Sequence, residues 1–210
     1  MLVRAGNTWL RMAHGALLAG VLTGCSEAAE GDDSAASGRP SVTAETSGRD
    51  RTAASSGGTI GAAGSACELP VTFDIARNWK AEAVKAPLGQ GPVTLACEID
   101  AKPAGSIGFL RVWTGKPGDA DTRTVLEAFV AAEDGVSKEQ YSAFTSGGLS
   151  GTKVEYLYAS ELLDETKKES AFAVTTADGP VVVHLGGLDT DEHEEMLPAY
   201  ELARRTLRVA

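Results

Sequence analysis

The chain has 210 residues, 43% of them hydrophobic and 6% aromatic, with a formal net charge of −10 at pH 7. The charge is uneven: residues 1–24 carry +2, residues 26–66 carry −3 and residues 67–210 carry −9. So acidic a body is repelled by phosphate backbones and anionic headgroups, which argues against nucleic-acid binding and against membrane docking through a basic patch.

Arg4 and Arg11 form a basic start, followed by the short apolar run Ala16-Leu17-Leu18-Ala19-Gly20-Val21-Leu22. That run falls far short of the roughly 20 apolar residues that a membrane-crossing helix needs. It fits the apolar core of a signal peptide over residues 1–24. No second Arg adjoins Arg4 or Arg11, so there is no twin-arginine signal. Leu22-Thr23-Gly24-Cys25 comes next: an aliphatic residue, two small residues, then Cys. This resembles the lipobox of bacterial lipoproteins. The resemblance implies diacylglycerol on the Cys25 sulfur, cleavage just before it, and acylation, for example by palmitate, of the new terminus. Two or three acyl chains, at about 0.8 kcal/mol per buried methylene, hold a protein firmly. The other reading of these residues is an ordinary secretory signal in which Cys25 is incidental.

Residues 26–66 are Gly, Ser, Ala and Thr with scattered charge and no aromatic residue. Such a segment buries too little apolar surface to offset its ordering entropy, so residues 25–66 are predicted to be a disordered tether. As a flexible coil it spans about 35 Å. Beyond it, residues 67–210 hold the patterned apolar content of a single domain.

With Cys25 assigned to lipid, Cys67 and Cys97 remain. An even pair outside the cell predicts a structural disulfide, contributing about 3–4 kcal/mol in the chain-entropy model. Neither Cys lies in a CxxC pattern, which argues against a zinc or redox centre.

Alternation of apolar and polar residues predicts strands over Val71–Ile75, Trp79–Val84, Val93–Ile99 and Ile107–Trp113, with Val93, Leu95, Cys97 and Ile99 on one face. Asp121 or Thr122 caps a helix whose stripe is Val125, Leu126, Phe129 and Val130, ended by Gly135. Ser137-Lys138-Glu139-Gln140 has the form of a capping box and predicts a second helix through Tyr141 and Phe144, ended by Gly147-Gly148. Strands return at Val154–Tyr158 and Phe172–Thr176. A hairpin turn at Ala177-Asp178-Gly179 leads into Val181–Leu185. Thr190 caps a closing helix with acids in its first turns and Arg204, Arg205 and Arg208 at its end, as the helix dipole favours. Pro198 is predicted to kink or split it.

These elements predict an α+β domain, a largely antiparallel sheet with helices packed on it. An opening strand that ends in a turn and Trp (Ile75-Ala76-Arg77-Asn78-Trp79), a central helix, and a late hairpin followed by a terminal helix resemble the PsbP-like fold. That fold is shared by photosystem II extrinsic proteins and the LpqN-type lipoproteins of actinobacteria. The likeness spans about residues 70–209 in order of elements. A Gly commonly precedes the Trp in that family; Asn78 stands here, and Asn also tolerates turn geometry. The resemblance implies a non-catalytic accessory or binding protein and names no ligand.

Reactive motifs are sparse. Gly147-Gly148-Leu149-Ser150-Gly151 lacks the spacing of a nucleophile elbow and is read as a helix-to-strand loop. His184 alternates with Val181, Val183 and Leu185, so it projects from the other side of its strand as a structural or surface His. His184, His193, Asp189 and Asp191 form a weak metal candidate without HExxH or calcium-loop spacing. Trp79, Trp113, Tyr156 and Tyr158 are read mainly as packing residues, with a sugar- or acyl-binding groove as the alternative. No cofactor motif is present. The expectation is an extracytoplasmic, membrane-anchored binding or accessory module whose ligand is an envelope protein, a wall component or a lipid. The rival is a hydrolase acting on wall or lipid substrates.

Overall fold

The computed structural model describes residues 54–86, 88–160 and 165–210; residues 1–24, expected to be a signal peptide, and Cys25 lie outside them. In chain order the strands are β1 (Ser56–Ile60), β2 (Val71–Ala76), β3 (Lys80–Ala83), β4 (Gly89–Gln90), β5 (Val93–Asp100) and β6 (Gly108–Gly115). Helix α1 (Thr122–Val130) follows, then β7 (Val136–Ser146), β8 (Leu149–Ser160), β9 (Glu165–Thr176) and β10 (Gly179–Gly187). Helix α2 (Thr190–Thr206) and β11 (Arg208–Val209) close the chain. One antiparallel sheet of eight strands runs β3-β5-β6-β10-β9-β8-β7, with β4 paired to β5. A second sheet runs β1-β2-β11.

The continuous apolar run of β10 marks a strand covered on both faces, and Val181, Val182 and Val183 are fully buried. On one face Val182, Val154, Ala171, Ala173 and Trp113 pack against the α1 stripe of Val125, Leu126, Phe129 and Val130. On the other, Val181, Val183, Leu185, Phe172 and Leu110 pack against Met196 and Tyr200 of α2 and against Val71 and Phe73 of β2. Asp121 caps α1 as predicted, its carboxylate accepting from Thr124 N at 2.7 Å. Cys67 and Cys97 are disulfide-bonded with Cα atoms 5.9 Å apart. Asn78 adopts a φ of 67°, the left-handed turn geometry that Asn accepts.

The structure corrects several expectations. The end of the segment expected to be tether is ordered: β1 pairs with β2, and Ile60 is buried. Pairing, not propensity, makes this strand. A β-carbon at Gly57 would sit 2.8 Å from the Ala76 carbonyl oxygen, so Gly permits the approach. Residues 137–140 open β7 instead of a helix, because pairing along the 12-residue β8 outweighs the local capping signal. Gly147 and Gly148, with φ of 54° and 81°, are the turn between β7 and β8, not a helix-to-strand loop. A bulge between Leu95 and Cys97 shifts the register of β5. Val93 and Leu95 therefore face α1, whereas Cys97 and Ile99 face α2. Asp189, not Thr190, caps α2, accepting from Glu192 N at 2.8 Å. Pro198 does not split α2: the buried Met196, Ala199, Tyr200, Leu202 and Ala203 outweigh a penalty of about 3 kcal/mol.

Candidate functional site

The two domain histidines lie on opposite faces of the large sheet. His184 packs edge-on to Phe129 of α1, with ring centroids 5.7 Å apart. His193, on α2, meets Ser170 of β9 on the other face. Asp189 is taken up by capping, and Asp191 is exposed in the first turn of α2. The weak metal set of His184, His193, Asp189 and Asp191 is therefore not brought together. Among the described residues no group of three or more His, Cys, Asp or Glu is placed to hold a metal. The four aromatic residues do not share a groove either. Trp79 packs on the α2 side, whereas Trp113, Tyr156 and Tyr158 belong to the α1 side.

On the α1 face, just past the end of that helix, lies a buried polar network that sequence reasoning missed. Glu169 Oε2 accepts from His184 Nε2 at 2.8 Å, and Glu169 Oε1 pairs with Lys167 Nζ at 2.9 Å. The Tyr156 hydroxyl lies 3.1 Å from Glu169 Oε2 and 3.1 Å from Glu133 Oε2, so its one hydrogen is shared between two carboxylates. Lys167 also donates to the Gly187 carbonyl at 2.6 Å. Burial alone would raise the Glu169 carboxyl, but contact with His184 and Lys167 outweighs it and holds the group at about 2. Burial pushes Glu133 up. Burial, reinforced by the neighbouring Glu169 and Glu133, keeps Tyr156 protonated well above the usual phenol range. The acids and the base are saturated by one another, and Phe129 covers His184. This is the arrangement of a structural network.

The next residue along β9, Ser170, points to the other face and into a cleft of about 430 Å³ between α2 and strands β7–β9. Its floor is the Ser170 Oγ and His193 Nε2 pair, 3.0 Å apart, with both residues buried. Burial pushes His193 down to about 4, so the imidazole is neutral at neutral pH. His193 Nδ1 is buried and has no hydrogen-bond partner among the described residues. Leu157 and Leu197 give the walls some apolar surface; Lys138, Gln140, Glu155, Lys168 and Glu194 supply polar groups. Lys168 pairs with Glu194 at 2.5 Å, and Glu155 with Lys153 at 3.1 Å. Volume and lining suit a small polar ligand. The signal for Ser170 was hidden in the polar run Glu165–Ser170, whose periodicity does not mark it as part of a covered strand.

No curated protein matches the chain. Among solved structures, the solution structure of cyanobacterial PsbP (CyanoP) from Synechocystis sp. PCC 6803 is similar at 15% identity and a TM-score of 0.49. The match covers 73% of this chain and 98% of that one. Residues 37–207 match the family described as "Uncharacterised lipoprotein", and the chain belongs to that family of lipoproteins.

Proposed function

We propose that this protein is an extracytoplasmic lipoprotein held to the membrane by diacylglycerol on Cys25, and that its folded body is a non-catalytic module that binds a small polar ligand. The ligand site is the cleft between α2 and β7–β9. Family membership supports the lipid anchor, and Cys25 is the residue in the lipobox-like position.

The observation that carries the binding reading is the floor of the cleft. A hydroxyl–imidazole pair lies there, kept neutral by burial, beneath a lining that offers the Gln140 amide, lysines and carboxylates to a ligand. Catalysis asks more of such a pair. A general base needs a group on Nδ1 to fix its tautomer, and acyl transfer needs free backbone N–H donors near the nucleophile. Ser170 sits inside β9, paired on both sides with β8 and β10, so the surrounding backbone serves the ladders.

The Cys25→Ala variant should leave the membrane fraction and lose labelling by a palmitate analogue; a wild type that is itself unlabelled overturns the anchor. Native mass spectrometry of the protein taken from its own envelope should show a retained small molecule that Gln140→Trp, which fills the mouth of the cleft, does not retain. Equal retention by both proteins, or none by either, overturns the binding site. The 3.0 Å Ser170–His193 contact favours one other reading, an envelope hydrolase. Covalent labelling of Ser170 by a fluorophosphonate probe would establish it.

A further inference from the structure

The charge pattern of the same cleft goes further, and the inference rests on the cleft being a binding site. We infer that its ligand is a hydroxylated organic monoanion the size of one or two sugar rings, such as a uronate. The anionic group meets Lys138 and the hydroxyls meet the Ser170–His193 floor.

The first support is the placement of Lys138. Between Ser137 and Gln140 the register of β7 against β8 slips by one residue, and Lys138 takes a φ of 57°. A residue other than Gly in that region costs about 1 kcal/mol or more. Bulges re-aim side chains, and this one sets Lys138 on the rim of the cleft. Strain of this kind persists where the surroundings impose it, commonly at binding sites.

The second support is the charge balance. The other charged groups on the lining are engaged: Lys168 with Glu194, Glu155 with Lys153, and Glu169 with Lys167 and His184. Lys138 has no hydrogen-bond or ion-pair partner among the described residues. Pair by pair, the exposed Lys138 is the lining charge left over, in a domain of net −9. One anionic group satisfies it; two would meet the surrounding acid excess.

The third support is the rest of the lining. The Ser170 hydroxyl and the Gln140 amide both donate and accept, which is what hydroxyl groups require. Leu157 and Leu197 offer enough apolar surface for the C–H face of a ring but not for an acyl chain. A cavity of about 430 Å³ fits one or two rings.

The test is calorimetry on the full chain in detergent with D-glucuronate, D-glucose and inorganic phosphate. Glucuronate should bind, glucose about ten-fold more weakly, and phosphate more weakly still. Lys138→Gln should lower glucuronate affinity about ten-fold and leave glucose unchanged. Lys138→Gly, which also relieves the backbone, should do the same with an undiminished melting temperature. Equal affinity for glucuronate and glucose, phosphate binding as tight as glucuronate, or no effect of either Lys138 variant overturns the ligand class. If glucose binds and Gln140→Trp abolishes it while the carboxylate adds nothing, the inferred ligand class fails and the cleft as a binding site survives. If Gln140→Trp leaves binding of every probe intact, the cleft itself is refuted as the site.

Discussion

Replacing Glu169 by Gln removes the charge that organises the buried network and leaves its shape. In the fold the carboxyl is held at about 2, against an ordinary 4.5. At about 1.4 kcal/mol for each ten-fold difference in proton affinity, this amounts to about 3 kcal/mol of stability. The folded pKa is depressed, so the contribution is fully present above about pH 4.5 and is lost as the pH falls toward 2. The amide introduced by Glu169→Gln can still accept from one neighbour, but Lys167 and His184 lose their shared anion in a site where Glu169 is only 4% exposed. Urea unfolding at pH 7 should show Glu169→Gln less stable by about 3 kcal/mol, with an unchanged slope against denaturant. Between pH 5 and 2 the wild type should lose stability more steeply than the variant, and the two curves should converge. A variant within about 0.5 kcal/mol of the wild type at pH 7, or one with the same acid dependence, refutes the claim that Glu169 is ionised and stabilising.

His193 is held down to about 4 from 6.5 by burial, so its protonation favours the unfolded chain and stability falls as the pH drops from 6.5 toward 4. His193→Gln should flatten that window, measured by melting temperature from pH 7 to 4.5. Reducing the Cys67–Cys97 bond should cost about 3–4 kcal/mol in urea unfolding, and the double Ser variant should match the reduced protein. Lys138→Gly should raise stability by about 1 kcal/mol by relieving the positive φ, visible as a higher melting temperature.

What could be read from the sequence was local. The Asp121 cap and the stripe Val125, Leu126, Phe129 and Val130 lie within one short stretch, and so does the turn Ala177-Asp178-Gly179 between β9 and β10. The features missed were decided by distant partners. Residues 137–140 satisfy a helix-capping pattern, yet their conformation is set by β8 beyond the turn. His184 does project away from Val181, Val183 and Leu185, as its alternation says. It is nonetheless buried because α1 covers that face, which no pattern within β10 reveals. Glu169 and Ser170 belong to a polar run that looks solvent-exposed. Its burial comes from being flanked by β8 and β10 and covered by the polar network on one face and by α2 on the other.

The antiparallel pairing of β1 with β2 also has a mechanical side. A load on the chain ahead of Ser56 pulls at the end of β1 that lies beside Ala76, and so peels the ladder one hydrogen bond after another instead of shearing it. Peeling needs little force, but it has a covalent stop. Once residues 56–66 are drawn out, to at most about 36–40 Å end to end, the tension reaches Cys67 and passes through sulfur to Cys97 in the large sheet. The first strand thus acts as a shock absorber in series with a rivet.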